Sequence, residues 1–404
     1  MNLFTLIGIM TTLSQPHMQL TRQWVLQTPT IPPANYWSKP IMTLTSKYLE
    51  LGYETNPSMA NGIVEVIDRK TGKLTWRRKG DGSTDLASPV KGNLVACSQD
   101  NIAIFDNGTR MEGVDLADGS VLWTIHKSKW RSGDGFVGMY SSVFAVASWK
   151  IRTALLYDVK SGKRLDPRNK ADALILGRSA EKCGTYVVPN QNIGGHMLLN
   201  LLTGDITQIT GANGYEIAVI GDRILCYIDL DDGYAGHSQW AKYLASYDFH
   251  GKKRWQFPKH LDWGPYHNQA LGTSYQDVPV WVPDAKRLLA ITKYGLYGIS
   301  ARDGRPIWHS WEFTFWDSRY VPIGKCVIIA TDRGGLRYNY LPGTWKFVIQ
   351  GPEALYCLNM SNGYAYRILD GSPILWDMVA DPEQVITLDS KGVVRAYRIQ
   401  WGKH

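Results

Sequence analysis

Cysteine is scarce and scattered in this sequence. The five cysteines, Cys97, Cys183, Cys226, Cys326 and Cys357, include no adjacent pair and no C-x-x-C pair. This spacing excludes a disulfide framework, a zinc-ribbon pattern and a C-x-x-C-H haem attachment. Cys226 and Cys357 sit inside apolar runs, where a free thiol behaves as a small hydrophobe. Long hydrophobic runs are also missing. Leu3 to Leu13, within MNLFTLIGIMTTLSQPHM, has the length of a signal-peptide core but is too short to span a bilayer. No Lys or Arg precedes it and no small-x-small site follows it. Residues 1–19 therefore read as an incomplete leader or an unstructured segment; a periplasmic or secreted location is compatible with them and not specified by them. No transmembrane segment follows. No long window carries the 3.6-residue period, so no helix is expected.

An excess of acid is likewise absent. Lys and Arg number 44 against 36 Asp and Glu, a net charge of +8. Ten of those bases against three Asp fall between Lys127 and Lys170, a net +7 in that segment. Such a sector attracts a polyanion, although charge runs are ordinarily solvated faces. With Trp130 and Trp149 nearby, it gives the third functional reading, stacking on nucleic acid, for which the segment has no recognised motif.

Aromatics and glycine are plentiful, with 16 Trp, 22 Tyr and 39 Gly. They recur in order. VIDRKTGKLTW (Val66 to Trp76) is followed by VDLADGSVLW (Val114 to Trp123), YDVKSGKRL (Tyr157 to Leu165) and YDFHGKKRW (Tyr247 to Trp255). Alternating apolar residues make a strand, Asp-x-x-x-Gly makes a tight turn, and a second strand ends on a large aromatic. Turn glycines fall at Gly72, Gly119, Gly162, Gly204, Gly251, Gly304, Gly363 and, less regularly, Gly402, at intervals of 39 to 59 residues. Two further strand-like runs precede each hairpin, such as RILCYID (Arg223 to Asp229) and CVIIATD (Cys326 to Asp332). Four strands per unit at this period predict an all-β fold, a single eight-bladed β-propeller of four-stranded antiparallel blades, or seven blades if the last unit is discounted. The last unit supplies three strands, ILWDMVA, QVITLDS and VVRAYRI, and LTRQWVLQT (Leu20 to Thr28) places Trp24 at the position of the outermost strand's Trp. The N-terminal strand is expected to complete the last blade, which removes unpaired edges. Expected blades are 31–80, 81–127, 128–167, 168–210, 211–258, 259–309, 310–367, and 368–404 together with 20–30.

The repeat VIDRKTGKLTW resembles that of the PQQ-like (pyrroloquinoline-quinone-type) propellers, over nearly the whole chain. The resemblance implies that Trp76, Trp123, Trp255 and Trp308 stack between blades. Asp166, Gln208 and Arg367 depart from the pattern, so the third, fourth and seventh blades are degenerate. The quinone-dependent dehydrogenases of that family hold their quinone beneath an adjacent Cys-Cys disulfide, which this sequence lacks. DLDDG, with Asp229, Asp231 and Asp232 as candidate calcium ligands, lacks the D-x-[DN]-x-[DN]-G spacing and the distant Glu. No cofactor and no metal are therefore expected, and the resemblance points to the non-quinoprotein branch, which includes the outer-membrane assembly propeller of Gram-negative bacteria.

Four insertions break the repeats: Asp229 to Tyr243, Pro258 to Asp277, His309 to Tyr320 and Arg333 to Phe347. In blades with strands A to D, all four are B–C or D–A connections, which share one face over blades five to seven. They carry Trp240, Trp263, Trp311, Trp316, Trp345 and Tyr340 as candidate ligand-binding residues, with Tyr234, Tyr266 and Tyr338 and the histidines His237, His260, His267 and His309 among them. A single loop Trp ordinarily packs against its neighbours and a single loop His is ordinarily solvated. A cluster of flat aromatics, however, stacks on sugar rings or anchors protein partners. The first reading is thus a monomeric binding or scaffold propeller for a polysaccharide or protein. The alternative is a carbohydrate-active enzyme, a polysaccharide lyase or glycosidase, with His237 or His267 as base, Tyr266 or Tyr338 as acid, and Arg319 or Arg337 neutralising a substrate carboxylate.

Overall fold

A computed structural model of the chain describes residues 18–28, 41–54, 62–79, 94–97, 101–106, 109–129, 135–147, 153–183, 186–190, 195–209, 215–230, 241–257, 279–292, 295–310, 319–331, 336–341, 344–349, 354–370, 375–389 and 391–402. The strand β1 spans Met18–Gln27. The first sheet contains β2 (Ile41–Leu44), β3 (Tyr48–Glu54), β4 (Gly62–Asp68) and β5 (Leu74–Lys79); the second β6 (Leu94–Cys97), β7 (Ile102–Asp106), β8 (Arg110–Asp115) and β9 (Val121–His126). The third has three strands, β10 (Gly135–Tyr140), β11 (Val143–Ala147) and β12 (Leu155–Asp158), and leads to a helix, α1 (Lys170–Cys183). The fourth also has three, β13 (Tyr186–Asn190), β14 (Gly195–Leu199) and β15 (Ile206–Ile209). The fifth is β16 (Tyr215–Ile220), β17 (Arg223–Leu230), β18 (Ala241–Asp248) and β19 (Lys253–Phe257); the sixth β20 (Val280–Val282), β21 (Arg287–Thr292), β22 (Gly295–Ser300) and β23 (Pro306–Ser310). In the seventh, β24 (Arg319–Ile323) and β25 (Cys326–Thr331) pair with β28 (Ala354–Asn359) and β29 (Ala365–Asp370), while β26 (Leu336–Leu341) and β27 (Thr344–Ile349) form a separate ribbon. The eighth is β30 (Leu375–Ala380), β31 (Gln384–Asp389) and β32 (Val393–Trp401), with β1 added outside β32. Every pairing is antiparallel, and the sheets follow one another along the chain as the repeats do.

The recurring chemistry of the hairpins is local. In the first, the Asp68 carboxylate accepts the Thr71 N–H at 2.7 Å and the Thr71 hydroxyl at 2.6 Å, and the Gly72 N–H donates to Asp68 O at 2.8 Å. The Thr71 hydroxyl is the largest influence holding the Asp68 pKa below its ordinary value. Asp158 and Ser161 repeat the arrangement in the third sheet. Gly72 has φ of +72°, and a Cβ there would lie 2.5 Å from the Trp24 ring, so both conformation and space require glycine.

The Trp residues join one sheet to the next. Trp24, Trp76, Trp123, Trp255 and Trp308 donate their indole N–H to the backbone carbonyls of Arg69, Leu116, Val159, Ala301 and Met360, at 2.8 to 3.1 Å. Each acceptor directly follows the first residue of the next sheet's turn, and each indole covers that turn's glycine. The apolar layers lie between sheets. Val64, Val66, Ala103, Phe105, Val114 and Leu116 fill the first–second interface, for example. Buried charges there are paired: Glu112 meets Arg78 of the first sheet and Arg110 of its own strand, and the Arg78 guanidinium lies 4.7 Å from the Phe105 ring centre.

The N-terminal strand does complete the last sheet. β1 pairs with β32 from Met18↔Trp401 to Gln27↔Val393. The seam with the first sheet is polar as well as apolar. Arg69, 8% exposed, donates to Gln384 Oε1 and Thr45 O at 2.9 Å each and pairs with Asp381.

Two expectations are corrected. Gly402 makes no turn: it lies just past β32 and is not among the glycines in the left-handed region, because the strand beyond β32 in this sheet is β1. The all-β class holds, but the chain also contains one α-helix among the described residues, α1, which no helical period announced. Asn169 caps α1, accepting the Ala171 N–H at 2.9 Å and the Asp172 N–H at 3.4 Å, and Asp172 sits in its first turn. Leu176 is fully buried against the third and fourth sheets while Leu174 is exposed. This weak amphipathicity explains why the helical period was not visible.

Replacing Trp76 by Phe keeps a ring over Gly119 but strands the Leu116 carbonyl, and is expected to cost about 1–2 kcal/mol. Trp24→Ala, which empties the seam, is expected to cost about 3–5 kcal/mol. Urea unfolding midpoints check both; an unchanged midpoint for Trp24→Ala would contradict the locking role.

Candidate functional site

Strand direction fixes where the insertions emerge. Successive antiparallel strands put B–C and D–A connections on one edge of the ring and A–B and C–D connections on the other. Residues 231–240 connect β17 to β18, a B–C connection. Residues 258–279 and 311–318 connect β19 to β20 and β23 to β24, both D–A connections. β26 and β27 interrupt the B–C connection of the seventh sheet. The four insertions thus leave from one edge, over the fifth to seventh sheets.

The ribbon is the described part of that apparatus. Its register sets Tyr340 opposite Trp345 and Tyr338 opposite Phe347, with Arg337 opposite Val348. Tyr338 and Tyr340 occupy alternate register positions along β26. Leu341 pairs with Thr344 at the far end of the ribbon. Arg319 begins β24 on the same edge, opposite Ala330. Asp229 lies within β17, opposite Lys242, as a ladder residue. His237, Trp240, Trp263, Tyr266, His267, Trp311, Trp316, Asp231 and Asp232 lie outside the described residues. Among the described residues, no three His, Cys, Asp or Glu side chains gather as a metal site.

Sequence reasoning missed the footing of these insertions. Phe257 ends β19, Tyr297 lies near the start of β22 and His309 near the end of β23, all at the insertion edge. Tyr297 and His309 stack with centroids 4.0 Å apart at 18°, and Phe257 meets Tyr297 at 5.5 Å. Burial raises the Tyr297 pKa. His309 is therefore a half-buried strand residue rather than a loop residue. The alternation of β23 could have revealed it, but its position beside Trp311 read as loop.

A second buried group lies between the fourth and fifth sheets. His196 in β14, 1% exposed, places Nε2 3.2 Å from Cys226 Sγ in β17. Desolvation lowers the His196 pKa, and burial is the largest cause raising that of nearby Tyr243. The basic sector belongs to the third sheet and its flanks and spans both edges, with Lys127 and Lys129 in the D–A connection before β10. Lys160, Lys163 and Arg164 belong to the C–D turn of the third sheet, on the edge opposite the insertions, Arg168 precedes α1 and Lys170 begins it; all five are exposed. Part of the charge is balanced, with Lys127 bonded to Asp106 at 2.6 Å, Lys163 3.6 Å from Asp172 and Arg168 3.4 Å from Asp166.

Antiparallel sheets in sequence, with an indole on a turn glycine at five of the described seams, define a PQQ-like β-propeller. The particular family is narrower. Residues 60–311 match the family model described as outer membrane protein assembly factor BamB, and the chain belongs to that family. The fold is similar to the crystal structure of BamB from Moraxella catarrhalis, with TM-score 0.52 and 12% identity over 94% of this chain and 99% of that one. The crystal structure of quinohemoprotein alcohol dehydrogenase from Comamonas testosteroni aligns with TM-score 0.48 and 10% identity over 94% of this chain and 76% of that one. No curated protein sequence matches. No helix among the described residues is long and apolar enough to cross a membrane.

The His196 environment sets a pH dependence. Its folded pKa is depressed, so unfolded chain takes up a proton first as pH falls. Stability present above about pH 6.5, the ordinary His value, is expected to fall below it, by up to about 1.4 kcal/mol per pH unit until the folded pKa is reached. Urea midpoints measured across this range should show the slope, and His196→Gln should flatten it.

Proposed function

We propose that this propeller is a binding and scaffold module whose insertion edge, over the fifth to seventh sheets, holds a protein partner. The observation that carries this reading is the convergence of all four insertions on one edge, including a ribbon with Tyr340 opposite Trp345 and Tyr338 opposite Phe347. Membership of a family described as an assembly factor supports a protein partner over a small substrate. Trp and Tyr contribute large contact area with few rotatable bonds, which is why they dominate interface hot spots. A stiff ring fixes the edge from which the insertions leave. The half-buried Phe257–Tyr297–His309 stack anchors the strands from which two insertions start.

A polysaccharide is the second reading, favoured by the same aromatics, since flat rings stack on sugars as readily as on peptide. Trp240, Trp263, Trp311, Trp316, Trp345 and Tyr340 are the proposed contacts in either case. Lyase chemistry would draw on His237 or His267, Tyr266 or Tyr338, and Arg319 or Arg337.

The test is one array of cell-envelope proteins and neutral and acidic polysaccharides, probed with wild type and with Tyr340→Ala and Trp345→Ala. Protein capture that weakens at least about tenfold in either variant, at an unchanged unfolding midpoint, is the expected result. Capture confined to polysaccharide would establish the second reading. An unsaturated product absorbing in the near ultraviolet would overturn the scaffold function in favour of the enzyme.

A further inference from the structure

The seventh sheet contains two thiols that the repeat does not require. Cys326 starts β25 and Cys357 lies in β28. The register pairs Cys326 with Asn359 and Cys357 with Ile328, making the two cysteines diagonal neighbours on one face. Their thiols hydrogen-bond each other. Both are buried, Cys326 at 7% and Cys357 at 0% exposure, in the layer between the seventh and eighth sheets, with Met18, Leu355, Met378 and Ile399 around them.

A chain of hydrogen bonds ties this pair to the strand that closes the ring. The Met18 N–H donates to the Tyr366 hydroxyl at 2.7 Å. Tyr366 lies opposite Cys357 in the ladder and donates to its sulfur. Cys357 in turn donates to Cys326. We propose that Cys326 and Cys357 are an oxidisable dithiol whose disulfide forms when β1 loosens from the seam.

The step needs a disulfide of the glutathione class as oxidant. The Cys326 thiolate attacks one sulfur of that disulfide, which breaks the S–S bond and releases one small thiol. The Cys357 thiolate then attacks the Cys326 sulfur of the mixed disulfide and releases the second small thiol. Two protein S–H bonds become one S–S bond, and the oxidant leaves as two thiols. The assignment of roles follows from geometry and charge. Cys326 is the more accessible, and the bond from Cys357 lowers its pKa. Cys357 is raised, first by that same bond and then by burial, and so acts second. Diagonal Cα atoms are typically about 7–8 Å apart, whereas disulfides span about 4.4–6.8 Å. The bond therefore draws β25 and β28 together and shifts the Cys357 sulfur from the Tyr366 hydroxyl, which connects thiol state to β1.

The experiment treats full-length folded protein with oxidised glutathione and maps cysteine peptides without reduction by mass spectrometry. The expected result is a Cys326–Cys357 crosslink in wild type, its absence in Cys326→Ser and Cys357→Ser, and restoration of both thiols by reduced glutathione. Tyr366→Phe, which keeps the ring but removes both hydrogen bonds, should speed crosslinking about fivefold. Thiols that stay free until global unfolding, or a mixed disulfide that never resolves, would overturn the proposal. A rate unchanged by Tyr366→Phe would overturn the link to β1.

Discussion

The ring depends on one contact repeated at successive seams: an indole N–H on the carbonyl that follows a turn residue, with the indole face lying on the turn glycine. The bond supplies direction and the stacked face supplies area. Neither partner is replaceable in isolation. A side chain on Gly72, Gly162, Gly304 or Gly363 would strike the Trp of the preceding sheet at 2.5 to 2.6 Å. The tight turn, the glycine and the distant Trp are thus one structural unit divided between two sheets. That division is why the pattern must recur from one sheet to the next.

The seams without an indole show what the contact contributes. Asp166 stands where the third sheet should carry its Trp, and there the outer strand is reduced to a single bridge, Tyr157 to Arg164. The turn glycine of the fourth sheet, Gly204, meets the Ala154 carbonyl instead of a ring. α1 occupies the chain position where the fourth sheet's first strand belongs, and Leu176 fills the gap. At the seventh sheet, Arg367 replaces the Trp, yet all four strands form. That seam is held by the Met18–Tyr366 bond and by the layer around Cys326 and Cys357 instead.

Most of the fold was legible from the repeat, because its information is local: an Asp and a glycine four residues apart, alternation on either side, and a Trp at a fixed distance. The closing strand was legible for the same reason, since Trp24 occupies the Trp position. What was hidden is whatever depends on partners far apart in sequence. α1 has a narrow apolar stripe and is recognisable only once the faces it covers are known. The Tyr297–His309 stack joins residues twelve apart that meet through a ladder. Cys326 and Cys357 look unrelated in a scattered set of five until the register places them side by side. For the insertions, the sequence yields composition and parity yields the edge, while the ribbon's pairing of Tyr340 with Trp345 required the register.

The two proposed chemistries of the molecule sit at different depths for a physical reason. Recognition needs aromatic area outside the layers that stabilise the sheets, and an edge where B–C and D–A connections emerge permits insertions without disturbing any seam. Thiol chemistry needs the opposite, a site that is silent while packed and exposed by a local opening. The eighth sheet is the one built from both ends of the described chain, so β1 can leave without breaking a covalent connection within that sheet. Met18 begins β1, and Tyr366 holds it. A reactive pair placed beside that residue responds to the local state of the seam, whereas the insertion edge, on strands of the fifth to seventh sheets, keeps its footing through the Trp255 and Trp308 locks. Separation of this kind would let the seam respond to oxidation without the proposed recognition edge being dismantled.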